Sequence, residues 1–450
     1  MNVKRFRSPA SLATAGLGLL ILVAASGAAV APTRSVAQQH RQRNPATSCT
    51  QGTGAFVGAG SGNVACDTDS AVVGGEENAV SSGADSIVGA GQFNTISAED
   101  SAILDGTANT VSGPYSVIAG GQGHSVAGSD AAIAGGIANS VASFAGFIGG
   151  GSHNSVTGNG SAIAGGNSRE DARTGNQISG LDSFIGSGDG NTISSTEAVI
   201  GGGDVNSVTS TYGTIAGGSG NQVTGKAATI AGGTDNVASG NAAMVAGGYH
   251  NLASGQYSFA AGFGSYANTN GSFVWSDFSQ GSKHLEPTAA NQFIARAAGG
   301  VIFLSNAAET TGVRLAPGSG AWGSASDRNL KRDVATVNDA DILAKVAALP
   351  VSEWSYTSEG GVRHLGPMAQ DFYTAFGVGE DDRHITSIDE DGVALAAIKA
   401  LNAKLTSTLR TLRAKDSEVG SLRVRLASQG DELRAMRAEL SDLEARLPRR

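Results

Sequence analysis

An asparagine returns along this chain at nearly constant intervals: Asn63, Asn78, Asn94, Asn109, Asn139, Asn154, Asn176, Asn191, Asn206, Asn221, Asn236 and Asn251, with His124 standing in the one vacant place. The step is 15 residues, or 16 once. It widens to 22 only before Asn176, where Ser168-Arg169-Glu170-Asp171-Ala172-Arg173 is inserted. Around each asparagine the pattern is small-small-Ile-Ala-Gly-Gly-x-x-Asn-x-Val-x-Gly, with clear copies at Ala132–Gly136, Thr214–Gly218 and Thr229–Gly233. A strict period of this length is the signature of stacked structural repeats. One unit cannot bury its apolar residues alone; a stack of them lines up the Ile positions in one column and the Val positions in another.

Each repeat fits two short strands, one carrying the Ile before Gly-Gly and one the Val after Asn. Gly-Gly and Asn are read as the positive-φ turn positions. About 13 coils at a strand spacing of about 4.8 Å give a rod of about 60 Å, with the insertion before Asn176 bulging as a loop. Composition agrees. Glycine is 66 of 450 residues and aromatics are 5%, so bulky side chains for several globular cores are missing. Residues 53–275 resemble the head of YadA-like trimeric adhesins, which repeat an Ile-x-Gly-Gly step at about this period. That resemblance implies a left-handed parallel β-roll assembled as a trimer. Calcium-binding nonapeptide repeats are the rival, but they need Asp every nine residues, which is absent.

The N-terminus carries Lys4, Arg5 and Arg7, then an apolar stretch from Leu12 to Ala31, then small-x-small sites at Ala29-Val30-Ala31 and Ser35-Val36-Ala37. This reads as an export signal over residues 1–37, cut after Ala37 because Pro32 hinders the first site. An uncleaved membrane anchor is the alternative, since about 20 apolar residues can span a bilayer. The expected location is extracellular or on the cell surface. The net charge is −9, and −13 once the four basic residues of 1–37 are removed. An acidic surface argues against nucleic-acid partners. Cys49 and Cys66 are the two cysteines, and export permits a bridge between them. Two separate thiols is the other reading. No metal-ligand spacing occurs, and no cofactor or metal is expected.

Residues 38–52 form a linker to the repeats. Past residue 275 the period breaks and bulky residues return. Phe273-Val274-Trp275, 292–297 and 300–304 read as strands of a β connector over 276–325. From Ser326 charge rises and glycine falls. A helix is expected over 340–349, stopped by Pro350, then a strand over 351–356, a helix near 368–376, and a turn at Asp391-Gly392. The last segment, 398–447, is a heptad helix. Ile398, Leu405, Leu412, Val419, Leu426, Leu433, Leu440 and Leu447 all fall on one seam, and Leu401, Leu422, Met436 and Leu443 on the second. That is coiled-coil patterning, with Lys415 and Gln429 at core places that weaken it and fix register. A single-chain helical hairpin is the rival. The chain closes on charged helix and Arg449-Arg450, so an integral outer-membrane barrel is not expected.

One motif carries chemistry: Ser326-Asp327-Arg328-Asn329-Leu330-Lys331. A Ser five residues before a Lys can act as nucleophile and base if a turn joins them and the Lys loses its proton, which burial or the cationic Arg328 and Arg332 would favour. By spacing alone, an ordinary surface loop offers the same pattern. Glycine-rich strings resembling dinucleotide fingerprints arise freely in such a repeat and carry no βαβ context. The stretch from Ser326 is similar to the S74 peptidase family, the intramolecular chaperone of phage endosialidases and tail fibres. The likeness continues through Leu349-Pro350-Val351, Trp354-Ser355-Tyr356, His364–Phe372, Asp391–Ala394 and Ile398–Leu401, with Met368 where the family favours an aliphatic residue. The resemblance implies a domain that trimerises the fibre and then severs itself. Ser326 would be nucleophile and Lys331 base, and the cut would fall at a bond adjacent to Ser326, on a side left open. Asp327 and Gln370 match family positions and would support the site; His364 would assist proton transfer or serve structure.

The expected molecule is therefore mostly β: a parallel β-roll of about 15-residue repeats, a β connector, then a small α+β chaperone domain (326–397) ending in a long coiled-coil helix, as a homotrimer. The function implied is an exported, adhesin-like fibre that contacts a host surface or polysaccharide. A tailspike that binds or depolymerises polysaccharide with the same chaperone is the alternative.

Overall fold

The computed structural model describes residues 49–167 and 175–446. The signal-like stretch, most of the linker, the inserted segment and Leu447 lie outside the described residues. The chain divides after Ser324 into two compact units.

The first unit is a parallel β-solenoid of about 14 turns. Two sheets run its length. One has 16 strands and takes the first strand of every coil; the other has 14 and takes the second. Parallel neighbours need a connection of a dozen or more residues. A 15-residue coil supplies it, so each strand pairs with its equivalent one repeat on: Ile133 with Ile148, Val141 with Val156. A third row of single bridges, among them Gln122 to Ile137 and Asp189 to Asp204, lines the edge between the sheets. Register survives the insertion, because Val156 pairs with Ile178 across it.

Strand residues alternate in and out. The inward ones, such as Ile118, Ile133, Ile148, Val141 and Val156, are fully buried and form one continuous core. The repeating asparagine is also buried, and it does something other than turning the chain. Positive φ belongs to the second glycine (Gly203, 101°) and to the residue before the asparagine (Val205, 53°). The asparagine side chain instead links coils. Asn206 N–H donates to Asn191 Oδ1 at 3.0 Å, and its amide donates to the carbonyls of Gly202 (3.1 Å) and Gly218 (2.9 Å). A buried amide is tolerated only with its hydrogen bonds made, and this ladder makes them rung by rung. A Cβ on Gly203 would collide with Gly218 O and the Asn206 amide, so the Gly-Gly step is steric as well as conformational.

The ends differ. Cys49 and Cys66 form a disulfide, Cα to Cα 5.7 Å, that staples the first coil. At the other end the stack runs one rung past Asn251, where Ser265 N–H donates to Asn251 Oδ1 at 2.9 Å. An alignment on asparagine stops at 13 because serine takes the next place. Strands Phe273–Ser276 and Phe293–Arg296 then extend the 16-stranded sheet. Phe259, Phe273 and Phe293 stack in a column on it, centroids 4.4 and 4.8 Å apart. Three antiparallel strands, Val301–Leu304, Gly312–Leu315 and Trp322–Ser324, close the unit.

The second unit holds helices α1 (Asp339–Ala348), α2 (Ala369–Phe376) and α3 (Ser387–Arg446), and a two-stranded antiparallel sheet of Ser352–Trp354 with His364–Gly366. Asn338 caps α1 by accepting from Ala340 and Asp341 N–H groups. Gly377, at φ 64°, ends α2 in the left-handed region that costs glycine least. Asp339 pairs with Lys399 at 2.6 Å across α1 and α3. The turn expected at Asp391-Gly392 is not there; both residues lie inside α3. Thr386 explains this. Its hydroxyl donates to the Asp389 carboxylate at 2.6 Å and accepts from Asp389 N–H at 3.2 Å, which starts the helix five residues before the Asp-Gly pair. One interior glycine costs a helix only about 1 kcal/mol.

Candidate functional site

The chemistry-bearing motif opens the second unit. Asp327 caps a single 3-10 turn, Arg328–Leu330, by accepting from Asn329 N–H at 2.9 Å and from the Asn329 side-chain amide at 3.1 Å. The turn closes with Leu330 N–H on Asp327 O and Lys331 N–H on Arg328 O, each at 3.1 Å. The four residues between Ser326 and Lys331 thus complete one tight turn. Lys331 Nζ donates to Ser326 Oγ at 2.7 Å. Hydroxyl and amine lie within proton-transfer distance, the geometric requirement for an activated nucleophile. Both residues are exposed, as are Asp327, Arg328 and Arg332. Arg332 is engaged with Asp333 at 3.6 Å.

Asp327 therefore shapes the turn that joins the pair. His364 and Gln370 occupy other places. His364 sits on the two-stranded sheet, its ring stacked on Trp354 (centroids 4.6 Å apart), with Nε2 at 2.9 Å from Glu359 Oε2. Gln370, in the first turn of α2, lines a cleft of 510 Å³ with Trp354, Tyr356, Met368, Arg383 and Glu390. Among the described residues no hydrogen bond joins His364 or Gln370 to Ser326 or Lys331. The His364–Glu359 pair was not visible in the sequence; its only signal is an acid five positions upstream of a histidine on a Gly-rich loop. No group of three His, Cys, Asp or Glu side chains gathers as a metal cage among the described residues.

A parallel solenoid followed by a small α+β unit and one long helix is the plan of a fibre-like or tailspike-like protein. Residues 326–377 match the model of the Peptidase S74 family, described as the chaperone of endosialidase. The match begins at Ser326 and takes in Lys331, the two-stranded sheet and α2. No curated protein matches the chain.

Proposed function

We propose that this is an exported trimeric fibre whose solenoid is the functional shaft or head, and whose segment from Ser326 drives trimerisation and then cuts itself off. The observation that carries the reading is the 2.7 Å contact between Ser326 Oγ and Lys331 Nζ at the first residue of the matched stretch.

Two exposed surfaces support self-association. On α3 the heptad residues Ile398, Leu405, Leu412, Leu426, Leu433 and Leu440 are each more than half exposed, a stripe that a single helix leaves in water. A second copy of the same helix is the partner whose pattern fits it. On the solenoid, the outward residues of the 16-stranded sheet are apolar at Phe56, Ile87, Val117, Phe147 and Phe184, whereas the 14-stranded sheet presents Ser125, Ser140, Ser155 and Thr192. In several coils a bulky residue on the apolar face is matched by a small one: the rings of Phe56, Phe147 and Phe184 lie over Gly58, Gly149 and Gly186, while Leu104 is paired with Ala102. Parallel sheets are ordinarily covered on both faces, and an even apolar face suits packing against another copy. The Cys49–Cys66 bridge fits an oxidising compartment.

In the proposed reaction Ser326 Oγ attacks the carbonyl carbon of an adjacent peptide bond as Lys331 Nζ takes the hydroxyl proton. The proton passes to the leaving amine, and water then hydrolyses the ester to free the serine. Lys331 must be neutral to accept a proton. Covering the exposed pair by another copy would remove water and favour the neutral amine, so cutting follows assembly. The Ser326→Ala chain should run as one full-length band on a denaturing gel, where wild type gives a C-terminal fragment of about 125 residues by position in the 450-residue sequence. Absence of that fragment from the assembled wild type contradicts the proposal.

A further inference from the structure

The asparagine ladder has one foreign rung. His124 is buried at 1% exposure in the place every neighbouring coil gives to asparagine. Its backbone N–H donates to Asn109 Oδ1 at 3.0 Å, as an asparagine's would. On its other side Asn139 N–H donates to His124 Nδ1 at 3.1 Å, so Nδ1 is an acceptor and the ring proton resides on Nε2. There the likeness to asparagine ends. Asn139 gives its amide to Gly135 O and Gly151 O, each at 3.0 Å. His124 Nε2 is buried and has no hydrogen-bond partner. The ring reaches as far as Gly121, where a side chain would strike Nε2.

Among the described residues the surroundings offer a charged ring no carboxylate, only the Gly136 backbone. The groups facing it are the Asn109 amide oxygen, the Asn139 N–H and the Gly121 and Gly136 backbone. The nearest carboxylates along the chain, Asp105 and Asp130, are exposed on the turns, and Asp105 already accepts from Gly106 N–H at 2.7 Å. Neither a carboxylate nor a cation pairs with the ring among the described residues. Protonation would place a second N–H on Nδ1, directly opposite the Asn139 N–H, and put a net charge in the core. Both oppose the stacked geometry. Every asparagine rung lacks this response, because an amide does not titrate.

We propose that His124 makes its coil an acid-sensitive joint in the shaft: neutral, it completes the ladder; protonated, it breaks the bond to Asn139 and lets the stack loosen between these two coils. The direction of the ring's titration agrees. Burial lowers its pKa from the ordinary value of 6.5, opposed only in part by the Gly136 backbone. Histidine is the side chain whose charge changes in the range of mildly acidic compartments and surfaces. This inference is independent of trimer formation and of cutting at Ser326.

The test is amide hydrogen exchange on the full chain at pH 7.5 and pH 5.0, corrected for the intrinsic rate at each pH, in wild type and in the His124→Asn variant that restores the common rung. In wild type the amides of Ser125 and Asn139 should lose about tenfold or more of their protection at pH 5.0, while those of Asn206 and Asn221 hold theirs. In His124→Asn the loss at the joint should vanish. If the two proteins respond alike, whether locally or along the whole shaft, the joint does not exist.

Discussion

The solenoid and the segment from Ser326 solve the burial problem in opposite ways. In the solenoid every coil is the partner of the next. Ile133 is covered by Ile118 and Ile148, and Asn206 by Asn191 and the Gly218 carbonyl. Among the described residues of the second unit Phe372, Ala397 and Ala400 are the buried apolar ones, and α3 leaves its heptad leucines in water. Along its axis the first region is complete in one chain; the second leaves an apolar seam on α3 uncovered. A fibre built this way gains an order of events. In the proposed assembly the long helix would gather the copies, set register and raise their local concentration. Once the stack is made, the proposed cut at Ser326 would remove the helix and leave the shaft kinetically trapped.

The largest effect should come from breaking the second region's dependence on partners. Leu405→Lys together with Leu412→Lys places two charges on the exposed seam of α3. The double variant should lose trimers in cross-linking and slow the appearance of the fragment by about tenfold or more, because the local concentration that the helix supplies is gone. Unchanged cross-linking would mean that the seam is not the assembly surface. Next comes the solenoid's own core. Ile148→Ala should cost about 2–5 kcal/mol, read as a shift in urea midpoint, because the column of isoleucines cannot collapse around one gap. Asn191→Ala should cost less, about 1–3 kcal/mol, by leaving the Asn206 N–H and the Gly203 carbonyl short of a partner. A cost below that of a surface substitution would remove the ladder from the account.

The smallest effect is the pH dependence. His124 binds a proton less readily folded than unfolded. The unfolded state therefore takes up more protons as pH falls through 6.5, and stability falls with it, by at most about 1.4 kcal/mol per pH unit for one group. Above that pH both states are neutral and the term is absent. The difference in urea midpoint between His124→Asn and wild type should shift in the variant's favour between pH 8 and pH 5.5.

Much of this was legible in the sequence, for a physical reason. A 15-residue period forces Ile133 over Ile148 and Val141 over Val156 whatever the details, so the columns follow from spacing. The role of the asparagine did not follow. Asparagine commonly turns a chain, and only coordinates show Asn206 reaching into the next coil while Val205 takes the strained φ. The last rung escaped because Ser265 offers its backbone N–H where the others are asparagine. The start of α3 escaped because Asp391-Gly392 is a strong local turn signal, overridden by the Thr386 cap and by packing of Ala397 and Ala400. At the candidate site, Ser326 and Lys331 were named through family likeness, and the 3-10 turn shows how the four residues between them bring them together. Glu359 beside His364 was not readable, since loop pairings obey no period.

The central claim is that the segment from Ser326 is unfinished as a single chain. It is tested most directly by light scattering on the uncut Ser326→Ala protein after size-exclusion chromatography in native buffer. The account predicts a mass of three chains that persists on dilution. A mass of one chain, at concentrations where the fold is intact, contradicts it.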